Sequence, residues 1–223
     1  MVSAYDELPR TPANFVALSP LRYLDRAAYI YPNQNAIIHG KRRITWREKY
    51  NRCRQFAHQL QKLGIGKNDT VSVLLPNVPA MIEAHFAVPM TGAVLNTLNT
   101  RLDAKTVAFM LEHAESKVLL VDPEFSKLAT EALALIPQKI YVIDVADEEY
   151  EGEDTRIGQI EYEDWIAQGD ANFEWHLPTD EWDAISLSYT SGTTGNPKGV
   201  VYHHRGAYIN AASNIIACGM MPR

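Results

Sequence analysis

Cysteine is scarce in this sequence: Cys53 and Cys218 are the only two among 223 residues, and they stand 165 positions apart. Neither belongs to a C-x-x-C pair or lies near a group of histidines. This usage excludes a disulfide-stapled secreted fold and a cysteine-based zinc site. It indicates two free thiols in a reducing compartment, and no metal-ligating residues are predicted.

Long hydrophobic runs are also missing. Residues 84–100 form a charge-free stretch of 17 residues, which is too short for a membrane span. The stretch is also too polar, because it contains Pro89, Gly92, Asn96 and Asn99. The first seven residues combine no basic segment with an apolar core, so no secretory signal is visible. These absences predict a cytoplasmic protein without a transmembrane segment.

Positive charge is in deficit. Lys and Arg number 21 against 27 Asp and Glu, which gives a net charge of -6 and a pI near 5.6. A nucleic-acid partner held by a basic face is therefore not expected. The hydrophobic share of 46% and the charged share of 22% are ordinary for a globular protein, and 223 residues suffice for one large domain with a core.

Strand-like and helix-like segments alternate along the middle of the chain. Apolar runs typical of buried strands and amphipathic runs typical of helices follow one another at residues 71–75, 79–90, 93–95, 103–114, 117–122, 124–135 and 140–144. This alternation predicts βαβ units, and so an α/β fold with a parallel sheet flanked by helices. Before it, we expect a helix that begins at Ser19–Pro20, a short hairpin, and a helix begun by a capping box of Thr45 and Glu48.

The chain divides into four predicted parts. They are an N-terminal arm (1–18), an α/β layer (19–144), an acidic loop and link (145–183), and a hairpin with a helix (184–223). Seven of the eleven residues from 144 to 154 are acidic. Because like charges at this density repel and extend the chain, a solvated loop is expected there rather than a metal site or a site for a basic partner.

One segment, residues 190–199, carries the chemistry. It opens with six residues that are only hydroxyl-bearing or glycine, and a lysine follows a proline near its end: Thr190, Ser191, Gly192, Thr193, Thr194, Gly195, Pro197 and Lys198. Glycines let the main chain approach an anion, and successive amides can form a concave nest for it. Four hydroxyls add donors and the lysine adds a full charge. The predicted ligand is a polyphosphate, held between two strands.

Two other interpretations fit this segment less well. A Walker A loop would place a lysine six residues after Gly192, as here, but Pro197 replaces its second glycine and Gly199 its Mg²⁺-binding hydroxyl. The segment also runs into a strand rather than a helix. A purely structural hairpin rarely places a lysine behind a proline. The pattern therefore favours polyphosphate binding outside the Walker class.

Residues 189–199 resemble the signature loop of the adenylate-forming enzymes, which include acyl-CoA synthetases, luciferases and peptide-synthetase adenylation domains. The resemblance continues in residues 75–77, 83–87, 92–102 and 117–119, and it covers the chain from about Ser19. The run from Leu98 to Leu102 is most similar to synthetases for fatty, aryl or methylthio-substituted acids.

This resemblance implies an acid–CoA ligase that uses ATP, Mg²⁺ and coenzyme A. A carboxylate would attack the α-phosphate of ATP to give an acyl-AMP and pyrophosphate, and coenzyme A would then displace AMP. The implied phosphate-binding residues are Thr190, Ser191, Gly192, Thr193, Thr194, Gly195 and Lys198, with Lys198 also the catalytic cation. A carboxylate with a pKa of roughly 4 is already ionised, so no general base is needed, and stabilising charge on pyrophosphate does most of the work.

Only 24 residues follow Gly199, and the family's later motifs have no counterpart in them. The expectation is therefore the N-terminal portion of such a ligase, without its C-terminal domain. Two alternatives stay open: a non-catalytic module that binds ATP, and another adenylate-forming enzyme. A homo-oligomer also stays open. His85 and Arg101 are expected to have structural roles. As strand residues, His203 and His204 would point to opposite faces and could not bind one metal ion together, and His204 is expected at the start of a helix.

Overall fold

The computed structural model describes residues 3–190 and 197–220. Seven α-helices are found in these ranges: α1 (Leu21–Ile30), α2 (Trp46–Lys62), α3 (Pro79–Met90), α4 (Ala104–His113), α5 (Ser126–Leu133), α6 (Tyr162–Ala167) and α7 (His204–Ala217). Nine strands accompany them: β1 (Asn35–His39), β2 (Arg42–Thr45), β3 (Thr70–Leu74), β4 (Val94–Thr97), β5 (Ser116–Val121), β6 (Tyr141–Asp144), β7 (Ile160–Glu161), β8 (Ala184–Thr190) and β9 (Lys198–His203). Short 3₁₀ turns occupy Ala4–Glu7 and Pro123–Phe125.

Seven strands form one sheet, in the order β7-β6-β5-β3-β4-β8-β9. Neighbours are parallel throughout except β8 and β9, which are antiparallel. β1 and β2 form a separate antiparallel hairpin. The predicted α/β fold with a parallel sheet is confirmed, and the structure adds β7, a two-residue edge strand that the sequence pattern did not indicate.

Helices cover both faces of the sheet. One apolar cluster joins α1, α2, α3 and α6 to the strands, and a second joins α4 and α5 to the opposite face. All five residues of β3 are buried, as expected for a central parallel strand covered on both sides. α7 lies on the α1 side, where the rings of Tyr23 and Tyr208 stack with centroids 4.6 Å apart.

Local signals in the sequence explain several helix ends. The Thr45 amide donates to Glu48 Oε2 at 2.7 Å and the Glu48 amide to Thr45 Oγ1 at 3.2 Å, so the predicted capping box is confirmed. α2 is followed by Gly64 with φ of +78°, a left-handed conformation that glycine adopts without strain. The expected cap at Ser19 is wrong in detail: Pro20 occupies the cap position of α1.

The acidic stretch is mostly exposed, but the carboxylates of Asp144 and Asp147 bind other parts of the chain. Asp144 is buried at the end of β6 and accepts hydrogen bonds from the amides of Ile157 (3.1 Å) and Gly158 (2.9 Å). Asp147 lies 2.7 Å from His39 Nε2, which ties the stretch to the β1–β2 hairpin. None of the helices within 3–190 and 197–220 has the length and apolar character that crossing a membrane requires. The four-part division of the chain stays a prediction.

Candidate functional site

The two strands predicted to flank the phosphate segment are an antiparallel pair. β8 and β9 pair from Ala184 and His203 to Thr190 and Lys198, with a register shift between Ala184 and Ser186, and Thr190 and Lys198 are direct partners. Thr190 and Lys198 are both exposed. The fold therefore brings the first hydroxyl of the segment and its lysine side by side, at the two ends of the connection between the strands.

Five of the predicted phosphate-binding residues lie outside the described residues. They are Ser191, Gly192, Thr193, Thr194 and Gly195. Their assignment to phosphate binding stays a prediction, as does the anion nest. Of the predicted site, the structure describes Thr190, Pro197 and Lys198.

The position of the hairpin in the sheet is informative. β8 is parallel to β4, with Ser186 opposite Leu95 and Leu187 opposite Asn96, so the ends of both strands point to the same sheet edge. Thr190 ends β8 at that edge, and Arg101 follows β4 there. Ligands of open α/β sheets bind outside the carboxyl ends of the strands. The described ends of the phosphate segment therefore lie at the edge where a ligand is expected.

His203 and His204 divide between two elements rather than sharing a strand. His203 ends β9 and its Nδ1 accepts from the Gly206 amide at 2.9 Å, which caps α7. His204 begins α7, is buried, and has its Nδ1 2.9 Å from Ser19 Oγ. Burial lowers the pKa of His204 to about 4, so the ring is neutral at neutral pH. Both histidines have structural contacts, and His204 lies at the start of a helix, as predicted.

His85 and Arg101 also show structural contacts. His85 is exposed on α3, and its Nδ1–H donates to the carbonyl oxygen of Met81 at 2.8 Å. The Arg101 amide donates to Asn99 Oδ1 at 2.9 Å, and its side chain is exposed.

Sequence reasoning missed a buried ion cluster between three helices. The Arg52 guanidinium (α2) donates to both oxygens of Glu83 (α3) at 2.6 and 3.1 Å, and to Glu163 (α6) at 2.7 and 2.8 Å. The Tyr162 hydroxyl donates to Glu83 Oε2 at 2.6 Å. Glu83 is fully buried. Arg52 is 31 positions from Glu83 and 111 from Glu163, so no local spacing could have revealed the cluster.

The opposite charges in the cluster affect the pKa values of its members. Burial disfavours the charged forms of Arg52 and Glu163, but their hydrogen bonds and opposite charges outweigh it, so the pKa of Arg52 is raised and that of Glu163 is lowered. Burial and the neighbouring Glu83 carboxylate raise the pKa of Tyr162, so its hydroxyl keeps the proton that it donates. The cluster packs α2, α3 and α6 together on one face of the sheet and has a structural role. Within the described ranges, no group of three or more His, Cys, Asp or Glu side chains could hold a metal ion.

Comparison with known proteins identifies the family of this chain. A family model described as AMP-binding enzyme matches residues 24–221. The peroxisomal acetate/butyrate–CoA ligase of Arabidopsis thaliana is 50% identical over 226 residues, which cover 96% of this chain and 40% of that protein. The acetate–CoA ligase of Humulus lupulus is 46% identical with the same coverage. The chain thus spans about 40% of the length of these curated relatives.

Solved structures agree on the fold. The anthranilate CoA ligase in complex with anthranoyl-AMP superposes with a TM-score of 0.78 at 24% identity, over 88% of this chain and 37% of that one. The o-succinylbenzoate CoA synthetase of Bacillus subtilis in complex with its acyl-adenylate gives 0.72 at 25% identity, over 92% and 48%. Since the family model spans nearly the whole chain and the arrangement of strands matches that of solved CoA ligases, the chain belongs to the AMP-binding enzyme family.

Proposed function

We propose that this chain is the N-terminal portion of an acid–CoA ligase that activates a small carboxylic acid with ATP and passes the acyl group to coenzyme A. One observation carries the proposal. The β8–β9 pair holds Thr190 opposite Lys198, at the carboxyl edge of a parallel sheet, on either side of the hydroxyl-and-glycine segment.

This arrangement suits the chemistry of adenylation. The attacking carboxylate needs no base, whereas the leaving pyrophosphate gathers negative charge that must be stabilised. Lys198 is the proposed catalytic cation for that charge, and Thr190 is a proposed hydroxyl donor to the phosphates. Ser191, Gly192, Thr193, Thr194 and Gly195 complete the proposed phosphate site. ATP would bring Mg²⁺ with its phosphates, because Mg²⁺ is usually bound through substrate phosphates and only one or two carboxylates.

The identity of the acid is proposed only as a class. The relatives are named for acetate, butyrate and trans-cinnamate, all carboxylic acids without a further charged group. We infer a small acid of this kind as substrate, with coenzyme A as acceptor. The cytoplasmic location stays a prediction, since two of these relatives are named as peroxisomal.

The alternative is an ATP-binding module without ligase activity. Titration with Mg·ATP and an assay of acid-dependent ATP–pyrophosphate exchange separate the two. The proposal would be supported if the 223-residue chain bound nucleotide without catalysing ATP–pyrophosphate exchange. A polypeptide extended to the relatives' length should then catalyse that exchange. Absence of nucleotide binding by both polypeptides would refute it. Exchange without thioester formation on free coenzyme A would indicate another adenylate-forming enzyme.

A further inference from the structure

Tyr189 precedes Thr190 in β8 and is tied by its side chain to α4. Its hydroxyl lies 2.8 Å from His113 Nδ1. With the proton on Nδ1, the imidazole donates to the Tyr189 oxygen, and that hydroxyl can then donate to the carbonyl oxygen of Met110 at 3.4 Å, a long and weak bond. His113 and Met110 both belong to the last turns of α4. The carboxyl end of β8 is thus connected to the carboxyl end of a neighbouring helix.

Aromatic packing reinforces this connection. The rings of Phe109 and His113 stack with centroids 5.3 Å apart and an interplanar angle of 27°. Tyr189 presents a steep angle of 74° to both, at 6.5 Å from Phe109 and 5.8 Å from His113. Edge-to-face contacts of this kind are favourable and orient the rings. Phe109, His113 and Tyr189 are called the α4 clamp below.

The end of β8 has few neighbouring strands in the sheet to hold it in place. Within the described residues, the parallel ladder between β4 and β8 joins Leu95 with Ser186 and Asn96 with Leu187. Beyond Leu187, β8 is paired with β9 alone, up to Thr190 and Lys198. The end of the hairpin therefore projects past the parallel ladder. A two-stranded ribbon is stable only weakly by itself, so a side-chain anchor there decides where Thr190 lies.

We propose that the α4 clamp is a positioning device for phosphate binding, in which His113 holds Tyr189 and thereby fixes Thr190 at the end of β8. This inference rests on the proposed function. In this proposal His113 does not contact the substrate but acts through Tyr189. Burial raises the pKa of Tyr189, so its hydroxyl stays protonated near neutral pH and available for the contact.

A double-mutant cycle on the 223-residue chain tests the inference. The variants are His113→Ala, Tyr189→Phe, and both together, with Mg·ATP affinity measured by calorimetric titration. Loss of one neutral hydrogen bond, about 1 kcal/mol, predicts that each single variant binds about three- to tenfold more weakly. Because both substitutions remove the same contact, the double variant should bind no more weakly than the weaker single one.

Two further variants separate positioning from general damage. His113→Asn can place its amide nitrogen near the position of Nδ1 and should keep affinity within about twofold of the unsubstituted chain. His85→Ala is the matched control, since His85 is also an exposed helical histidine with one backbone contact, and it should leave affinity unchanged. Additive losses in the double variant, or equal losses in His113→Ala and His85→Ala, would overturn the clamp.

Hydrogen exchange gives a readout that does not need nucleotide. Peptides covering 184–190 should exchange faster in His113→Ala and Tyr189→Phe but not in His85→Ala, while peptides from β3 should not change. Equal exchange in all variants would overturn the inference even if affinity fell. If the unsubstituted chain bound no Mg·ATP, the proposed function would fail, and the exchange rates would still decide whether His113 fixes the end of β8.

Discussion

The Ser19 hydroxyl and His204 Nδ1 lie 2.9 Å apart although 185 positions separate them in the chain. Both side chains are buried. Around them, the Leu18 amide donates to Glu181 Oε2 at 2.9 Å, and the His204 amide donates to the Asp183 carbonyl oxygen at 3.2 Å. The segment before α1 is thereby joined to the start of β8 and the end of β9, so the base of the hairpin, opposite the phosphate segment, is held from the α1 side.

Acid should destabilise the fold through His204. Its pKa is lowered by burial from 6.5 to about 4, so between these values the unfolded chain binds a proton that the folded chain does not. Stability from this group is fully present above pH 6.5 and is lost as pH falls towards 4, by about 3 kcal/mol in total. Urea unfolding at pH 7 and pH 5 measures it. A His204→Gln variant should lose this part of the pH dependence; an unchanged slope would contradict the assignment.

Removal of Glu83 should be strongly destabilising. Its carboxylate is fully buried and accepts hydrogen bonds from Arg52 and Tyr162, so Glu83→Ala leaves a largely buried guanidinium without one of its partners. We expect a loss of about 3 kcal/mol or more in the free energy of unfolding. Asp25→Ala, which breaks the exposed Arg22–Asp25 pair, is the control and should cost less than about 1 kcal/mol. Equal losses in urea denaturation would show that burial of the pair does not matter.

Lys198→Ala should slow adenylation more than it weakens binding of the acid. The lysine is proposed to meet charge that grows on pyrophosphate, which is greatest in the transition state. We expect a fall of about a hundredfold in acid-dependent ATP–pyrophosphate exchange by a polypeptide extended to the relatives' length, with KM for the acid little changed. Lys105→Ala, an exposed lysine on α4, is the control. An unchanged exchange rate in Lys198→Ala would remove the proposed role.

Self-association through β9 is expected of the 223-residue chain. β9 is an edge strand, Val201 is 60% exposed on it, and Ile216 on the adjoining helix α7 is 82% exposed. Unprotected apolar edges pair with other chains. Val201→Lys should lower the light-scattering mass, and Ile38→Lys, a substitution of similar exposure on the separate β1–β2 hairpin, should not. A monomer before any substitution would contradict this expectation.

Sequence patterns predicted what depends on near neighbours. Thr45 and Glu48 form their capping box because three positions on a helix suffice to specify it, and the buried apolar runs define the strands because burial on both faces demands them. The hydroxyl-and-glycine composition of residues 190–199 predicts a phosphate segment between two strands, and the structure confirms the strands on either side.

Contacts between distant residues escaped prediction. Ser19 Oγ accepts from the Leu21 amide at 3.3 Å near the start of α1, but nothing in the sequence around it indicates its contact with His204. Glu83 likewise gave no sign that Arg52 and Tyr162 would surround it. His113 has no motif around it, and its contact with Tyr189 arises only because α4 and β8 meet in the fold. Such pairs are set by the packing of whole elements, which periodicity in one element does not encode.

The strand order also dictates a sequence of events during synthesis. β4 is paired with β3 from residues close in the chain, but its other edge is covered by β8, whose residues are made about 90 positions later. Until the ribosome has released the hairpin, Val94–Thr97 presents free backbone groups to any other strand, because non-local pairing forms slowly and late. The arrival of β8 therefore both brings Thr190 to the carboxyl edge of the sheet and closes an edge at which nascent chains could aggregate.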